Sequence, residues 1–217
     1  IASILIYNNN AKLDSTISLE SKIFNNSNGA IGIIGAGNFT SSVILPHLKR
    51  LNSSIHYISS SKGLSSTILA KKFNILKSTT DYSEILEDPE TSLIFITTRH
   101  NSHAKIIIES LKNGKNVFVE KPLCLKQSEL EDIIECYNKN NQSISVGFNR
   151  RFSPLSQKIK KLLGSANQPL NITVTCNAGY IPKDSWVHDI DVGGGRILGE
   201  ACHFIDLCTY FINSKAI

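Results

Sequence analysis

Ile31-Gly32-Ile33-Ile34-Gly35-Ala36-Gly37-Asn38-Phe39-Thr40 reads as an apolar strand, a glycine turn and the start of a helix. Gly35 permits the tight turn, and Gly37 lets the backbone approach a pyrophosphate. The helix opening at Asn38 and Phe39 offers free N–H groups and a positive dipole end to that anion. Thr40 stands at the third position of G-x-G-x-x-G, a departure that bears on helix–strand packing more than on phosphate binding. The fingerprint is weak alone; its strand–turn–helix setting, with further strand–helix units after it, gives it weight.

Working outward, short β-branched runs without polar alternation lie at Ala30–Ile34, Ile55–Ser59, Ser92–Thr97, Asn116–Glu120 and Ser143–Gly147. Such runs suit strands buried on both faces. Helix-spaced apolar residues fill Asn38–Leu51, Leu64–Phe73, Ser102–Asn113 and Gln127–Asn140. The alternation predicts an α/β fold, a Rossmann doubly wound parallel sheet over residues 29–147. Residues 1–28, with an apolar strand candidate at Ile4–Tyr7 and Asn/Ser-rich sequence after it, read as a linker or the remnant of a preceding domain. After Gly147 the rhythm changes: a helix near Pro154–Leu163, an alternating strand Asn171–Cys176, a loop with Trp186 and three glycines, and a last helix over Gly199–Phe211. Residues 148–217 read as the beginning of an α+β substrate domain.

The 217 residues carry 41% hydrophobic and 19% charged residues, enough for a core and too few charges for a disordered tail. A net charge of +5 suits a phosphate-bearing ligand, and no basic run interleaved with aromatics points to nucleic acid. The five cysteines show no C-x-x-C spacing, which argues against disulfides and structural zinc and for a reducing cytoplasm. No apolar run approaches the ~20 residues of a membrane span. The absence of methionine, even at position 1, predicts an internal segment of a longer protein.

Glu120-Lys121-Pro122 closes the run Asn116–Val119, so its lysine leaves a buried strand beside a proline. At the end of the second strand of the fold, Ser59, Ser60 and Lys62 offer hydroxyls and a cation with no acid. An acid there would favour an unsubstituted ribose; its lack favours NADP over NAD as cofactor, with both open.

Glu120-Lys121-Pro122 joins Gly35–Phe39, Thr98-Arg99-His100-Asn101-Ser102-His103, Gly147–Phe152, and Gly193–Gly195 followed by His203 and Asp206. In that order and spacing the chain resembles the Gfo/Idh/MocA family of sugar and inositol oxidoreductases. Asn177–Trp186 and Gly193–Glu200 look most like two-domain members from surface-polysaccharide gene clusters. The resemblance implies hydride transfer at an alcohol carbon, with Lys121 on the reacting hydroxyl. Thr97, Thr98, His100, His103, Glu120, Lys121 and Asn149 would border the cofactor, although His103 suits packing or capping at its helix start better than catalysis. Arg150, Trp186, Arg196 and Glu200 would face the substrate. Arg151 fits a structural ion pair equally well, Trp186 either stacks on a sugar or fills core, and Arg196 meets either a carboxylate or a phosphate.

The resemblance also makes His203 the acid/base, with an aspartate four residues earlier; that position is Gly199. On a helix, Glu200 and Asp206 flank His203 by about 60° on either side, so either carboxylate could orient the imidazole. The expected function is an NAD(P)-dependent oxidoreductase acting on the CH–OH group of a sugar, nucleotide sugar or polyol, the full-length protein a homo-oligomer. A non-catalytic dinucleotide sensor, or a fragment inactive alone, is the alternative.

Overall fold

The computed structural model describes residues 14–19, 29–164 and 170–213. Seven strands, β1 (Thr16–Ser18), β2 (Ala30–Ile34), β3 (Ile55–Ser59), β4 (Lys77–Thr79), β5 (Thr91–Ile96), β6 (Asn116–Val119) and β7 (Ile144–Val146), form one sheet in the order β1-β4-β3-β2-β5-β6-β7. All pairings are parallel except that of β1 with β4. The helices are α1 (Leu45–Arg50), entered through a π-type stretch Thr40–Ile44, then α2 (Leu64–Phe73), α3 (Ser83–Glu87), α4 (His103–Lys112), α5 (Gln127–Asn138), α6 (Pro154–Leu163) and α7 (Cys202–Ile212).

The apolar runs are strands because both faces of the sheet are covered. Ile33 and Ile34 are neighbours in sequence, both buried, and point to opposite faces. Ile33 packs with Leu45, Leu48, Leu69 and Ala70 of α1 and α2; Ile34 packs with Ile106, Ile107 and Leu111 of α4 and with Ile133 of α5. The chain runs outward from β2 through β3 to β4, then returns to β5 and runs the other way. The order therefore reverses between β2 and β5, the crevice where ligands bind in such sheets.

Four elements differ from the sequence reading. Thr16–Ser18, inside the segment read as a linker, forms an edge strand, and the half-buried Leu19 packs beside Ile33. Polar β4 and the short α3 carry no apolar periodicity and went unread. Asn171–Cys176 forms no strand: no described strand lies beside it to complete a ladder, although Ile172, Val174 and Cys176 do share one face against α7. The Ile4–Tyr7 candidate lies outside the described residues.

Short α3 has a close contact with the central strand. A Cβ on Gly32 would lie 2.2 Å from Cγ2 of Ile85. Gly32→Ala is expected to cost about 2 kcal/mol by overpacking, measured by urea unfolding. Ile85→Leu, which removes the branch methyl, should recover part of that loss; strictly additive costs would mean that the two do not touch.

Candidate active site

The glycine turn is pinned at the reversal point. Gly35 has φ +114°, and a Cβ on it would lie 2.7 Å from the Thr97 carbonyl carbon and oxygen, so no side chain fits. Its N–H donates to the Ser59 carbonyl at 3.0 Å. Its own carbonyl accepts from the hydroxyls of both Thr40 and Thr97 at 2.8 Å. Thr40 is fully buried, and its hydroxyl also meets that of Thr97 at 2.7 Å. The residue in the third glycine's place thus ties the turn to the end of β5, a role sequence reasoning missed. The signal was there: a second threonine at the adjacent strand end. Gly37 is the opposite case, exposed and with no atom within 4 Å of a Cβ. Open space follows a rigid turn, beside the exposed Asn38 and half-buried Phe39 at the helix start.

The end of β3 holds less than expected. Ser59 is buried, and Ser60 turns its hydroxyl inward to Ser66 at 2.9 Å, bracing the start of α2. Neither hydroxyl reaches outward; of the three residues singled out there, Lys62 alone is exposed.

Beyond β5 and β6 the two loops are locked together by His103. Its ring is fully buried, with Nδ1 2.8 Å from the Pro122 carbonyl and Nε2 3.2 Å from that of Thr98. Burial pushes its pKa down, so the neutral ring donates through the closer Nδ1. His103 positions the loops from below and presents no surface to a cofactor, which corrects its grouping with the cofactor residues. The Thr98 hydroxyl accepts from Ser102 at 2.6 Å. Glu120 continues the ladder through its N–H to Ile96, and its carboxyl lies over Gly147, where a Cβ would be 2.6 Å from Oε1. Burial raises the Glu120 pKa, while the Lys121 charge and a hydrogen bond from the Lys121 backbone N–H pull it back.

Lys121, joined to Pro122 by a cis peptide, donates from Nζ to the Gly199 carbonyl at 2.5 Å. Gly199 lies in a π-type stretch, Ile197–Ala201, that leads into α7 and His203. His203 Nδ1 is buried with no hydrogen-bond partner among the described residues, and the ring stands edge-on to Phe148. Burial, then the charges of Lys121 and Arg150, lower its pKa to about 4.

Neither flanking carboxylate orients this imidazole. Asp206 is taken by Arg151, whose Nε donates to it at 3.0 Å, and Glu200 pairs with Arg196 across one helical turn. Glu200 and Arg196 pair with each other on the rim of an apolar groove along α7. Exposed Asn149 and Arg150 follow β7, and Arg150 covers the Phe204 ring at 4.6 Å. Trp186 is half-buried, stands edge-on to His100 at 4.9 Å and lies under Arg99 at 5.6 Å. Arg99 lies within the Thr98–His103 motif, where the sequence assigned it no role of its own.

The profile of the Gfo/Idh/MocA family, an oxidoreductase family with an NAD-binding Rossmann fold, matches residues 30–148. The chain belongs to this family. It is similar to the myo-inositol 2-dehydrogenase of Thermotoga maritima, 28% identical over 188 residues, 85% of this chain and 55% of that protein. Among solved structures, a levoglucosan dehydrogenase in complex with NADH and L-sorbose superposes with TM-score 0.72 at 24% identity, over 85% of this chain and 53% of that one. A 3-ketoreductase from Actinomadura kijaniata, in complex with NADP and TDP-benzene, gives 0.70 at 19%, over 84% and 57%. The chain spans about half the length of the curated relatives it matches. No helix among the described residues is long and apolar enough to cross a membrane.

The two turn glycines make opposite demands. Gly35→Ala should lower the Tm by several degrees. Gly37→Ala should leave the Tm unchanged yet weaken NADPH and NADH binding by about ten-fold or more, followed by nicotinamide fluorescence. Equal Tm losses would show that Gly37 serves packing.

Proposed function

We propose that this chain carries the cofactor and reaction centre of an NAD(P)-dependent dehydrogenase acting on a CH–OH carbon of a sugar, nucleotide sugar or polyol. Residues 29–147 are the dinucleotide-binding domain and 148–217 the start of the substrate domain. The observation behind this reading is the joint placement of Lys121 and His203: the lysine reaches the carbonyl of Gly199, one helical turn before the histidine with the orphaned Nδ1. The residues present fit a dinucleotide, because Gly37 leaves room over a pinned turn and the Glu120 carboxylate, with four lone pairs, has acceptor capacity beyond its bond to the Lys121 backbone for ribose hydroxyls. A bound NAD(P) supplies the hydride acceptor.

Lys121 donates to the substrate oxygen and stabilises negative charge as it develops. His203 takes the hydroxyl proton. A proton acceptor must be neutral, and with a pKa of about 4 this imidazole is neutral throughout the physiological range. For substrate oxidation, kcat/KM should therefore hold level as the pH falls through 6.5 and drop only near pH 5 and below. His203→Ala should lower kcat by about 10²–10⁴. The assay is nicotinamide absorbance with myo-inositol, scyllo-inositol, levoglucosan and nucleotide sugars on the full-length protein; activity of the variant within a few-fold of wild type rejects the role.

For the cofactor we infer a preference for NADP over NAD, now resting on exposed Lys62 and on the lack of an acid in Ser59–Gly63 rather than on the serine hydroxyls. A guest 2′-phosphate would meet that cation. The ratio of kcat/KM for the two cofactors should favour NADP and fall in Lys62→Ala; a clear NAD preference rejects it. Gly199 and the arginine-bound acids also favour a second reading, a dinucleotide-binding regulator without chemistry. Tight NAD(P)H binding with no turnover of any alcohol would select it.

A further inference from the structure

Gly199 stands one helical turn before His203, on the same side of the chain, where glycine is the least favourable residue but proline. Its backbone does not ask for glycine, since its φ is not in the left-handed region. Its neighbour does. A Cβ there would lie 3.3 Å from Cε1 of His100 and 3.6 Å from the Gly193 carbonyl oxygen. The His100 ring has little freedom to retreat: it is 8% exposed, its Nδ1 is 2.8 Å from the Gly193 carbonyl, and Trp186 stands edge-on to it. Donation from Nδ1 leaves Nε2 as an acceptor. That nitrogen has no partner among the described residues. Lys121 donates to the carbonyl of the same Gly199, so the ammonium and the imidazole meet at one residue.

We propose that His100 and Gly199 are a matched pair: the imidazole takes the room a side chain at 199 would need, and its Nε2 accepts a hydrogen bond from a substrate hydroxyl beside the oxygen held by Lys121. His100 is then a specificity-determining residue for hydroxyl-rich substrates. The steric pairing stands on the structure alone, and the substrate contact rests on the dehydrogenase reading.

Two measurements on the full-length protein test the two halves separately. In the wild-type background Gly199→Ala should lower the Tm by about 4 °C or more, and in a His100→Ala background the same change should raise it by about a degree, as helix propensity dictates. Equal effects in both backgrounds overturn the pairing. For the contact, kcat/KM is measured on whichever of myo-inositol, scyllo-inositol or levoglucosan the wild type oxidises. His100→Ala should lose about 30-fold or more, roughly the worth of a hydrogen bond with its partner left unpaired. His100→Gln, whose amide mimics Nε2, should recover most of the activity; His100→Asn, whose amide mimics Nδ1, should not. Recovery by Asn alone would make the Gly193 bond the whole role and overturn the contact, as would full activity of His100→Ala. A wild type that oxidises no alcohol overturns the dehydrogenase reading and the contact with it, while the Tm cycle still decides the pairing.

Discussion

The close approach of the Gly35 backbone to Thr97 is the constraint on which the rest depends. It sits where the strand order reverses, and the two threonine hydroxyls that share the Gly35 carbonyl fuse the ends of β2 and β5 into one rigid edge. A hydroxyl carries one proton, so when one threonine donates to the other across their 2.7 Å contact, only the second donates to the carbonyl, and the two roles can exchange. Every group in the site is counted from that edge: the open space at Gly37 on one side, and the loops carrying Thr98, His100 and Glu120-Lys121-Pro122 on the other.

Around Lys121 the electrostatics are one-sided. His100, His103 and His203 all have pKa values lowered first by burial, and the lysine charge lowers each further. The two carboxylates nearest His203 are spent on arginines, so nothing nearby restores its basicity fully. The consequence is a set of neutral imidazoles beside fixed cations, Lys121 and, at His203, Arg150 as well, with the free nitrogen of His100 an acceptor. Such a site favours a ligand that brings hydroxyl protons and develops negative charge on one oxygen. A carboxylate substrate would find one ammonium but no imidazolium to meet it.

The sheet was legible where burial on both faces demands continuous apolar runs, as at Ile33 and Ile34. It was illegible where buried strands are polar. Lys77-Ser78-Thr79 is held by side-chain bonds such as Ser78 Oγ to Ser66 Oγ at 2.9 Å, which leave no hydropathy pattern. The motif-bearing residues were legible as a group because parallel strands deliver their carboxyl ends to one edge. What those side chains do there was not. Ser60 turns inward because Ser66, six residues on, needs it; Asp206 serves Arg151 because α7 packs against the turn Asn149–Phe152, a long-range contact. The Arg196–Glu200 pair is different: its i,i+4 spacing was readable on any helix and was passed over.

Lys121 adds a last step. An ammonium left without acceptors in a half-buried site is costly, and a charge-assisted hydrogen bond contributes about 1.5–3 kcal/mol. The Gly199 carbonyl supplies that bond within the chain itself, at 2.5 Å. On the proposed dehydrogenase reading, a substrate oxygen arriving between Lys121 and His203 would exchange one acceptor for another, and the lysine would not be desolvated anew. Proline on one side and the His103 clamp beneath hold the lysine's backbone still, so only the outer side chain moves.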